Sequence, residues 1–331
     1  MRNLTAPLAA AMLLAGLTTQ APAQPVTDHH QHLISPAVAE QSSSSGAIGA
    51  ERLVALLDSA GIRNALVLSV AYQFGNPNRA AAADEHEKVR AENDWTSSEI
   101  TKHPDRLRGF CSFNPLRPYA LEELHRCARD PHINFGIKLH FGNSDVNLDD
   151  SEQVETLRAV FRSANNCGMA VAVHLRPSVT MRRPYGTQQS RVFLTRVLAA
   201  APDVPVQIAH LAGAGGYDSA TDEALSVFVD AIARGDPLMN NVYFDVSGVV
   251  GIGAWTADRA DEVAMRIRQL GLSRVLYGSD AAVATNSPRE AWEKFKTLPL
   301  SESEFSTIEN NVAPYMTQEA NSRAASKCVA P

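Results

Sequence analysis

The sequence predicts an α/β protein with a (β/α)8 TIM-barrel fold. Eight strand-like runs alternate with helix-like runs along the 331 residues, and this repeated alternation is typical of such a barrel. Most of the eight runs are continuously apolar, as strands buried on both faces are. A doubly wound open sheet is the alternative, but it needs a glycine-rich phosphate loop after an early strand. The glycine-rich run at 210–216 follows the sixth strand instead, so the barrel is favoured.

The predicted strands are separated by segments long enough to contain a helix. They cover residues 26–32, 65–70, 108–113, 136–140, 170–174, 206–210, 242–246 and 274–277. Amphipathic helices are predicted between them at 51–60, 151–167, 190–200 and 257–270. In the second of these helices Val154, Leu157, Val160 and Phe161 recur at helical spacing, which predicts one buried stripe.

Length and composition agree with one large domain. A TIM barrel needs about 250 residues, and the chain is 45% hydrophobic and 20% charged with a net charge of -6. There is no long run of Lys or Arg, so no nucleic-acid partner is expected. We predict a single barrel domain at 24–320 and a frayed tail at 321–331, in a protein compatible with either a monomer or a homo-oligomer.

The first residues predict an export signal. Arg2 provides a positive start, residues 4–17 are apolar, and Ala21-Pro22-Ala23 fits a small-x-small cleavage site. Residues 1–23 are therefore predicted to be removed, which places the protein in the periplasm or outside the cell. The apolar stretch is shorter than the roughly 20 residues that span a bilayer, although an uncleaved anchor is the alternative. No membrane association is expected after cleavage.

Four cysteines give no metal-binding spacing. None of Cys111, Cys127, Cys167 and Cys328 forms a CxxC pair, which disfavours a zinc knuckle. An exported protein can oxidise its thiols. For Cys111, in a predicted strand, we expect a buried free thiol. A disulfide among the other three is open, because the sequence alone does not pair them.

The end of the first strand carries the pattern His30-x-His32. Residues two apart in a strand point to the same face, so both imidazoles are expected at the barrel mouth, while His29 points the other way. Imidazole nitrogen binds Zn, Mn, Fe and Ni. A lone His-x-His pair is weak evidence, and its weight comes from the other strand ends.

Three further strand ends carry polar residues that can bind a metal. His174 and His210 close the fifth and sixth strands, and Asp280 follows the eighth. In a barrel the eighth strand lies beside the first, so Asp280 is expected near His30 and His32. Asp280 could bind a metal, take a proton from water, or do both. The alternative is a helix N-cap, a role that Asp suits.

Together, these motifs resemble a known group of enzymes. They are His30-x-His32, Gly136-Ile137-Lys138-Leu139-His140, His174, His210, Tyr277-Gly278-Ser279-Asp280 and Glu309-Asn310-Asn311-Val312-Ala313. In this order they resemble the amidohydrolase superfamily, in its amidohydrolase-related branch of metal-dependent barrel hydrolases and decarboxylases.

The resemblance implies a role for each matching residue. His30, His32, His174 and Asp280 match the positions that hold a catalytic divalent metal, Zn by first expectation and Mn as the alternative. The resemblance also implies that His210 orients the attacking water or binds a second metal. Lys138 matches the lysine that is carboxylated and bridges both ions in two-metal members. One ion is favoured here, and a two-metal site that uses Lys138 and His210 stays open.

The expected chemistry is hydrolysis of a small-molecule amide, lactone or ester by an activated water. Asp280 and His210 are the predicted catalytic residues: Asp280 would take the proton of the water and return it to the leaving group, and His210 would stabilise the developing oxyanion or the water. Arg176 is the predicted substrate-binding residue, since a guanidinium can clamp a carboxylate; a surface arginine is the alternative.

Two other functions remain open. The first is metal-dependent decarboxylation of an aromatic or unsaturated carboxylic acid, for which Arg176 would hold the carboxylate. His30-x-His32 disfavours it, because decarboxylases of this branch often begin Glu-x-His. The second is a barrel that binds metal without turnover, which has no need of the proton shuttle that Asp280 provides.

Overall fold

The computed structural model describes residues 24–42, 46–253, 255–281, 287–317 and 328. Eight parallel strands form one sheet in the order β1 to β8, so the predicted TIM barrel is confirmed. The strands are β1 Thr27–Gln31, β2 Asn64–Leu68, β3 Leu107–Ser112, β4 Gly136–His140, β5 Ala170–His174, β6 Val206–Ile208, β7 Val242–Asp245 and β8 Val275–Leu276.

Backbone hydrogen bonds close the barrel between its first and last strands. The His29 N–H donates to the Tyr277 carbonyl and the Asp280 N–H donates to the His30 carbonyl, each over 2.8 Å. Gly278 is needed at this seam, because a Cβ atom on it would lie 2.7 Å from the His30 Cβ. The seam therefore places the residue after β8 directly against the His-x-His of β1.

Eleven α-helices of the described residues surround the strands. They are α1 Pro36–Ser42, α2 Ala50–Ala60, α3 Glu85–Ile100, α4 Ala120–Cys127, α5 Ser151–Asn166, α6 Thr187–Val192, α7 Ser219–Ala233, α8 Ala257–Leu270, α9 Pro288–Phe295, α10 Glu302–Asn310 and α11 Pro314–Thr317. None of them is long and apolar enough to cross a membrane.

Helix ends and faces follow local sequence rules. Side-chain caps begin several helices: the Asp150 carboxylate accepts from two backbone N–H groups of α5, and Ser287 forms a capping box with Glu290 at α9. The stripe predicted for α5, from Val154 to Phe161, is buried. The helix predicted at 190–200 is instead α6 followed by a π-helical turn and a 3-10 turn.

All four cysteines form disulfides, Cys111 with Cys127 and Cys167 with Cys328. The expectation of a free thiol at Cys111 is therefore wrong. The strand β3 and the end of α4 come together with the two Cα atoms 6.2 Å apart, within the range that a disulfide bridges. This proximity depends on how α4 packs against the barrel, which residue spacing does not reveal. The second pair answers the question left open for Cys167 and Cys328.

Two predictions fall on residues whose structure is not described. The export signal at 1–23 lies outside the described residues, and so does the tail at 321–331 except for Cys328. Both stay predictions.

Candidate metal centre

The carboxyl ends of the strands surround a cavity of about 370 Å³. Its polar lining includes His30, His32, Lys138, His140, His174, His210 and Asp280. All the predicted metal-binding residues therefore meet in one place, as expected for the C-terminal face of a TIM barrel.

His30 in β1 and His32 just after it point into this cavity, and His29 does not. His30 and His32 are almost fully buried, with ring centroids 5.2 Å apart. His29 turns away, where its Nδ1 hydrogen-bonds the Tyr277 carbonyl and its Nε2 accepts from the Ala313 N–H. The alternation of a strand thus separates the two candidate ligands from a structural histidine.

Hydrogen bonds fix the tautomer of three cavity histidines. The Nδ1 atoms of His30, His32 and His210 face the Asp245 carboxylate at 2.9 Å, the Leu68 carbonyl at 2.6 Å and the Ser247 carbonyl at 2.7 Å. Each Nδ1 therefore carries the proton, and each Nε2 keeps a lone pair for the cavity. Burial lowers the pKa of all three rings, that of His30 to about 3. Neutral imidazoles with inward lone pairs are the form that binds a metal.

Asp280 completes a set of donor atoms. One of its oxygens, Oδ1, lies 3.4 Å from the His32 Nε2 and is buried without a hydrogen-bond partner among the described residues. Ligand atoms of His30, His32 and Asp280 all lie within 4.8 Å of one another. A buried carboxylate oxygen without a partner is costly, and a divalent cation would satisfy it. The residues present therefore fit a cation.

Burial also changes the charge of Asp280. It raises the pKa of this carboxyl to about 8, while the nearby Lys138 acts in the opposite direction. The backbone of Asp280 adopts a positive φ of 54°, which is uncommon for a residue other than glycine. Among the described residues, the first helix after Asp280 is α9, which begins at Pro288 and is capped by Ser287 and not by Asp280.

Asp245, at the end of β7, is a site residue that the sequence analysis missed. Its Oδ2 accepts from His30 Nδ1 and Gln207 Nε2, and its Oδ1 accepts from the His210 N–H and from the N–H and hydroxyl of Ser247. Although burial opposes it, the interactions with His30 and His210 hold the Asp245 pKa well below its usual range. The signal was available, since Asp245 ends an apolar run just as His174 and His210 do.

A second candidate set contains His30, His210 and Asp245, whose ligand atoms also lie within 4.8 Å of one another. Both oxygens of Asp245 are already occupied by hydrogen bonds. Asp245 therefore orients the His30 ring and the turn around His210, and the set with Asp280 is the better cation site.

Asp28 is another buried carboxylate that the sequence analysis did not assign. It accepts from the N–H of Ser279 at 3.0 Å and from the Ser279 hydroxyl at 2.6 Å. It also accepts from the side chain of Gln31. Burial raises its pKa to about 6. These bonds hold the segment after β8 against β1, and so they position Asp280.

Lys138 lies in the floor of the cavity. Its side chain is buried, and its Nζ is 3.4 Å from the His30 Nε2. Burial lowers the pKa of Lys138 to about 8, although Asp245 and Asp280 favour the charged form. A lysine amine beside a ligand nitrogen is placed to contact either the cation or a group bound to it.

His174 joins the cluster from β5. Its ring centroid is 4.9 Å from that of His210 and 3.9 Å from that of His140, against which it stacks. His210 itself lies in a strained turn, because His210, Leu211 and Ala212 all have positive φ values, of 56°, 49° and 66°. This turn ends β6 before residue 210 and aims the ring at the cavity.

Arg176 lies away from the cluster. It donates to the Asp218 carboxylate at 2.8 Å and to the Thr221 hydroxyl at 3.0 Å, and among the described residues no arginine lines the cavity. The Arg176 side chain, with an exposed fraction of 14%, is thus directed to the start of α7 and not to the cavity.

Comparisons with known proteins agree with this architecture. A sequence model of the family described as amidohydrolase matches residues 27–309. No curated protein sequence matches the chain. Several solved structures share the fold, with sequence identities too low to indicate more than that.

Three of these structures illustrate the range. A dihydroxybenzoic acid decarboxylase from Polaromonas sp. JS666, with manganese and the inhibitor 2-nitroresorcinol, is 17% identical (TM-score 0.57, covering 87% of this chain and 95% of that one). An amidohydrolase from Burkholderia multivorans with bound zinc is 15% identical (TM-score 0.57, 86% and 95%). A probable 2-pyrone-4,6-dicarboxylic acid hydrolase from Acinetobacter baumannii is 16% identical (TM-score 0.54, 86% and 96%).

Proposed function

Because the chain belongs to the amidohydrolase family, we propose that it is a metal-dependent hydrolase that cleaves a small-molecule amide, lactone or ester. The observation that carries the proposal is the Oδ1 of Asp280, which is buried beside the Nε2 of His32 and has no hydrogen-bond partner in the described part of the chain. A buried carboxylate with a free oxygen can serve a cation and a proton transfer at once.

His30, His32, His174 and Asp280 would hold the cation, which is Zn or Mn in this proposal. A bound divalent cation polarises a carbonyl group and lowers the pKa of water toward about 7. One ion is favoured because Asp245 has no oxygen left for a second. A two-ion site would instead require Lys138 and His210 as additional ligands.

The chain's own residues perform the proton transfers. Asp280 takes a proton from the attacking water and returns it to the leaving group. His210 presents an Nε2 lone pair, since its Nδ1 proton is directed at the Ser247 carbonyl. A neutral His210 therefore accepts a hydrogen bond from water and orients it, and it has no proton on Nε2 with which to stabilise an oxyanion.

The decarboxylase is the second candidate. A decarboxylase is favoured by the wall of the cavity, which Val249, Phe295 and Lys294 line, because two apolar residues and a cation suit an apolar acid. Hydrolysis is preferred because Arg176, the carboxylate clamp considered for a decarboxylase, is bonded to Asp218 and Thr221 instead.

Export to the periplasm or beyond is part of the proposal. It is supported by the two disulfides, which are typical of proteins in oxidising compartments.

The function is tested by metal removal and a substrate panel. Chelation should abolish hydrolysis of at least one amide, lactone or ester, Zn or Mn should restore it, and elemental analysis should find one ion per chain. An Arg176→Gln control should keep its kcat/KM within about twofold, since the Arg176 guanidinium is bonded to Asp218 and Thr221 and does not line the cavity. Release of CO2 from aromatic acids without hydrolysis would establish the second candidate, and a protein that keeps full activity after the cation is removed would contradict both.

A further inference from the structure

His140, at the end of β4, lines the cavity but has no role in the chemistry described so far. Its ring stacks on His174 with centroids 3.9 Å apart and planes 13° apart, and the Tyr72 ring lies 4.9 Å away. Beneath it, a Cβ atom on Gly142 would come within 3.2 Å of the ring. The imidazole is thus held in one orientation by its neighbours.

The tautomer of His140 is opposite to that of His30, His32 and His210. The backbone N–H of Asn143 donates to the His140 Nδ1 over 3.1 Å, so Nδ1 carries a lone pair. A neutral ring with a lone pair on Nδ1 carries its proton on Nε2.

That Nε2–H is available for a ligand. It has no hydrogen-bond partner among the described residues, and the cavity that the ring lines also contains the side chains of Asn143 and Gln73. His140 is therefore a fixed hydrogen-bond donor in a cavity where three other histidines present lone pairs. A donor N–H cannot bind a cation, but it binds an oxygen.

We propose that His140 binds the substrate by donating its Nε2–H to a carbonyl or carboxylate oxygen next to the scissile group. This inference rests on the proposed function and narrows the substrate class to small molecules with a second oxygen acceptor beside the amide, lactone or ester. Discrimination arises because a donor positioned for a substrate oxygen is left unpaired by an analogue without that oxygen.

The tautomer of His140 can be tested by NMR, without an activity measurement. In protein labelled with 15N-histidine, long-range 15N–1H correlations distinguish a protonated Nε2 from a protonated Nδ1. We expect His140 to carry its proton on Nε2, with or without added Zn, and His30 to carry it on Nδ1. A proton on Nδ1 of His140, or a shift of its Nε2 that shows metal coordination, would overturn the inference.

The role is tested with two variants and a pair of substrates. His140→Leu should lower kcat/KM roughly 10- to 100-fold for a substrate with the second oxygen, mainly through KM. For an analogue without that oxygen, kcat/KM should stay within about twofold of the wild-type value. The metal content of the variant should not change. His140→Gln, which keeps an N–H donor, should recover much of the loss. An equal loss for both substrates would indicate a structural role and contradict the proposal.

His86 offers a matched control, because it also stacks on a ring, that of Tyr119 at 4.4 Å, but does not line the cavity. His86→Leu should change kcat/KM for neither substrate.

Malonate binding to the Zn-loaded protein, measured by calorimetry, separates the donor role of His140 from the proposed hydrolase function. Binding that His140→Leu weakens about 10-fold, in a protein without hydrolase activity, would retain the donor role and reject the hydrolase. Equal malonate affinity in wild type and His140→Leu would reject the donor role.

Discussion

The ends of β7 and β8 each place a carboxylate near His30, yet the two carboxylates differ in their surroundings. Asp245, after β7, accepts five hydrogen bonds and its pKa lies well below the usual range. Asp280, after β8, has one oxygen to which no described residue hydrogen-bonds, and its pKa is raised to about 8. The difference shows how two aspartates in one fold acquire different properties: Asp245 carries a fixed charge, and Asp280 can exchange a proton.

The contrast has a simple physical origin. Hydrogen bonds to a carboxylate favour its charged form, and burial without them favours the neutral form. Asp245 faces donors from β1, β6 and the turn after β7, so its charge is satisfied. Asp280 faces the cavity. A saturated carboxylate orients its neighbours, whereas an unsaturated one is free to bind a cation or to exchange a proton.

The largest effect should come from removing the reactive carboxylate. Asp280→Asn keeps the size of the side chain but loses the base, so we expect kcat to fall roughly 10²- to 10⁴-fold with an unchanged fold. Steady-state kinetics and circular dichroism measure the two properties. Wild-type turnover in this variant would exclude Asp280 from the mechanism.

Substitution of Asp245, whose two oxygens are both hydrogen-bonded, should lower the stability of the fold more than Asp280→Asn does and should have a smaller effect on activity. Asp245→Asn places an amide opposite the donors of His30 and Gln207, and each unsatisfied buried donor costs about 1–3 kcal/mol. The His30 ring also loses its orienting partner, which should weaken metal affinity roughly 10- to 100-fold. Urea unfolding and metal titration test this. If Asp245→Asn proved as stable as wild type while Asp280→Asn unfolded, the comparison would be reversed.

The smallest effect concerns how stability depends on pH in the metal-free protein. The pKa of Asp280 is raised from 3.8 to about 8 on folding, so between these values the folded state binds the extra proton and its contribution to stability falls as pH rises. Asp245 has the opposite sign. Its pKa is lowered, so its contribution is present above 3.8 and is lost as pH falls below that value.

Urea unfolding at several pH values compares wild type with Asp280→Asn. The decline between pH 4 and 8 should be shallower in the variant, because Asn does not titrate. Lys138 titrates mainly above this window in wild type, and Asp280→Asn removes a charge that favours its protonated form, which lowers its pKa further and also makes the decline shallower. Its pKa is lowered from 10.5 to about 8, so its contribution to stability increases between those values, above the chosen window. Parallel curves for the two proteins would show that Asp280 keeps an ordinary pKa.

Much of this site could be predicted because it follows strand periodicity. His30 and His32 share a face of β1, His29 does not, and His174 ends a continuous apolar strand. Asp280 could be placed near β1 from barrel closure alone. Asp245 obeys the same rule and could have been found by it, since it ends the apolar run of β7.

Other features depend on tertiary packing that no local pattern records. The partner of Cys111 follows from the position of α4, and the direction of Arg176 is decided by Asp218 and Thr221 at the start of α7. The opposite tautomers of His140 and His210 depend on single backbone groups, the Asn143 N–H and the Ser247 carbonyl. Sequence spacing gives the residues of such a site but not their proton positions.

The residues that could bind the cation come from the first and the last strand of the barrel. His30 lies in β1 and His32 just after it, whereas Asp280 follows β8. A nascent polypeptide that lacks β8 has two imidazoles of this set and no carboxylate to complete it. The complete donor set therefore forms only when the barrel closes and residue 280 lies beside residue 30. A bound ion would link the residues that follow β1 and β8, and it would therefore stabilise the closed barrel against separation of these two strands.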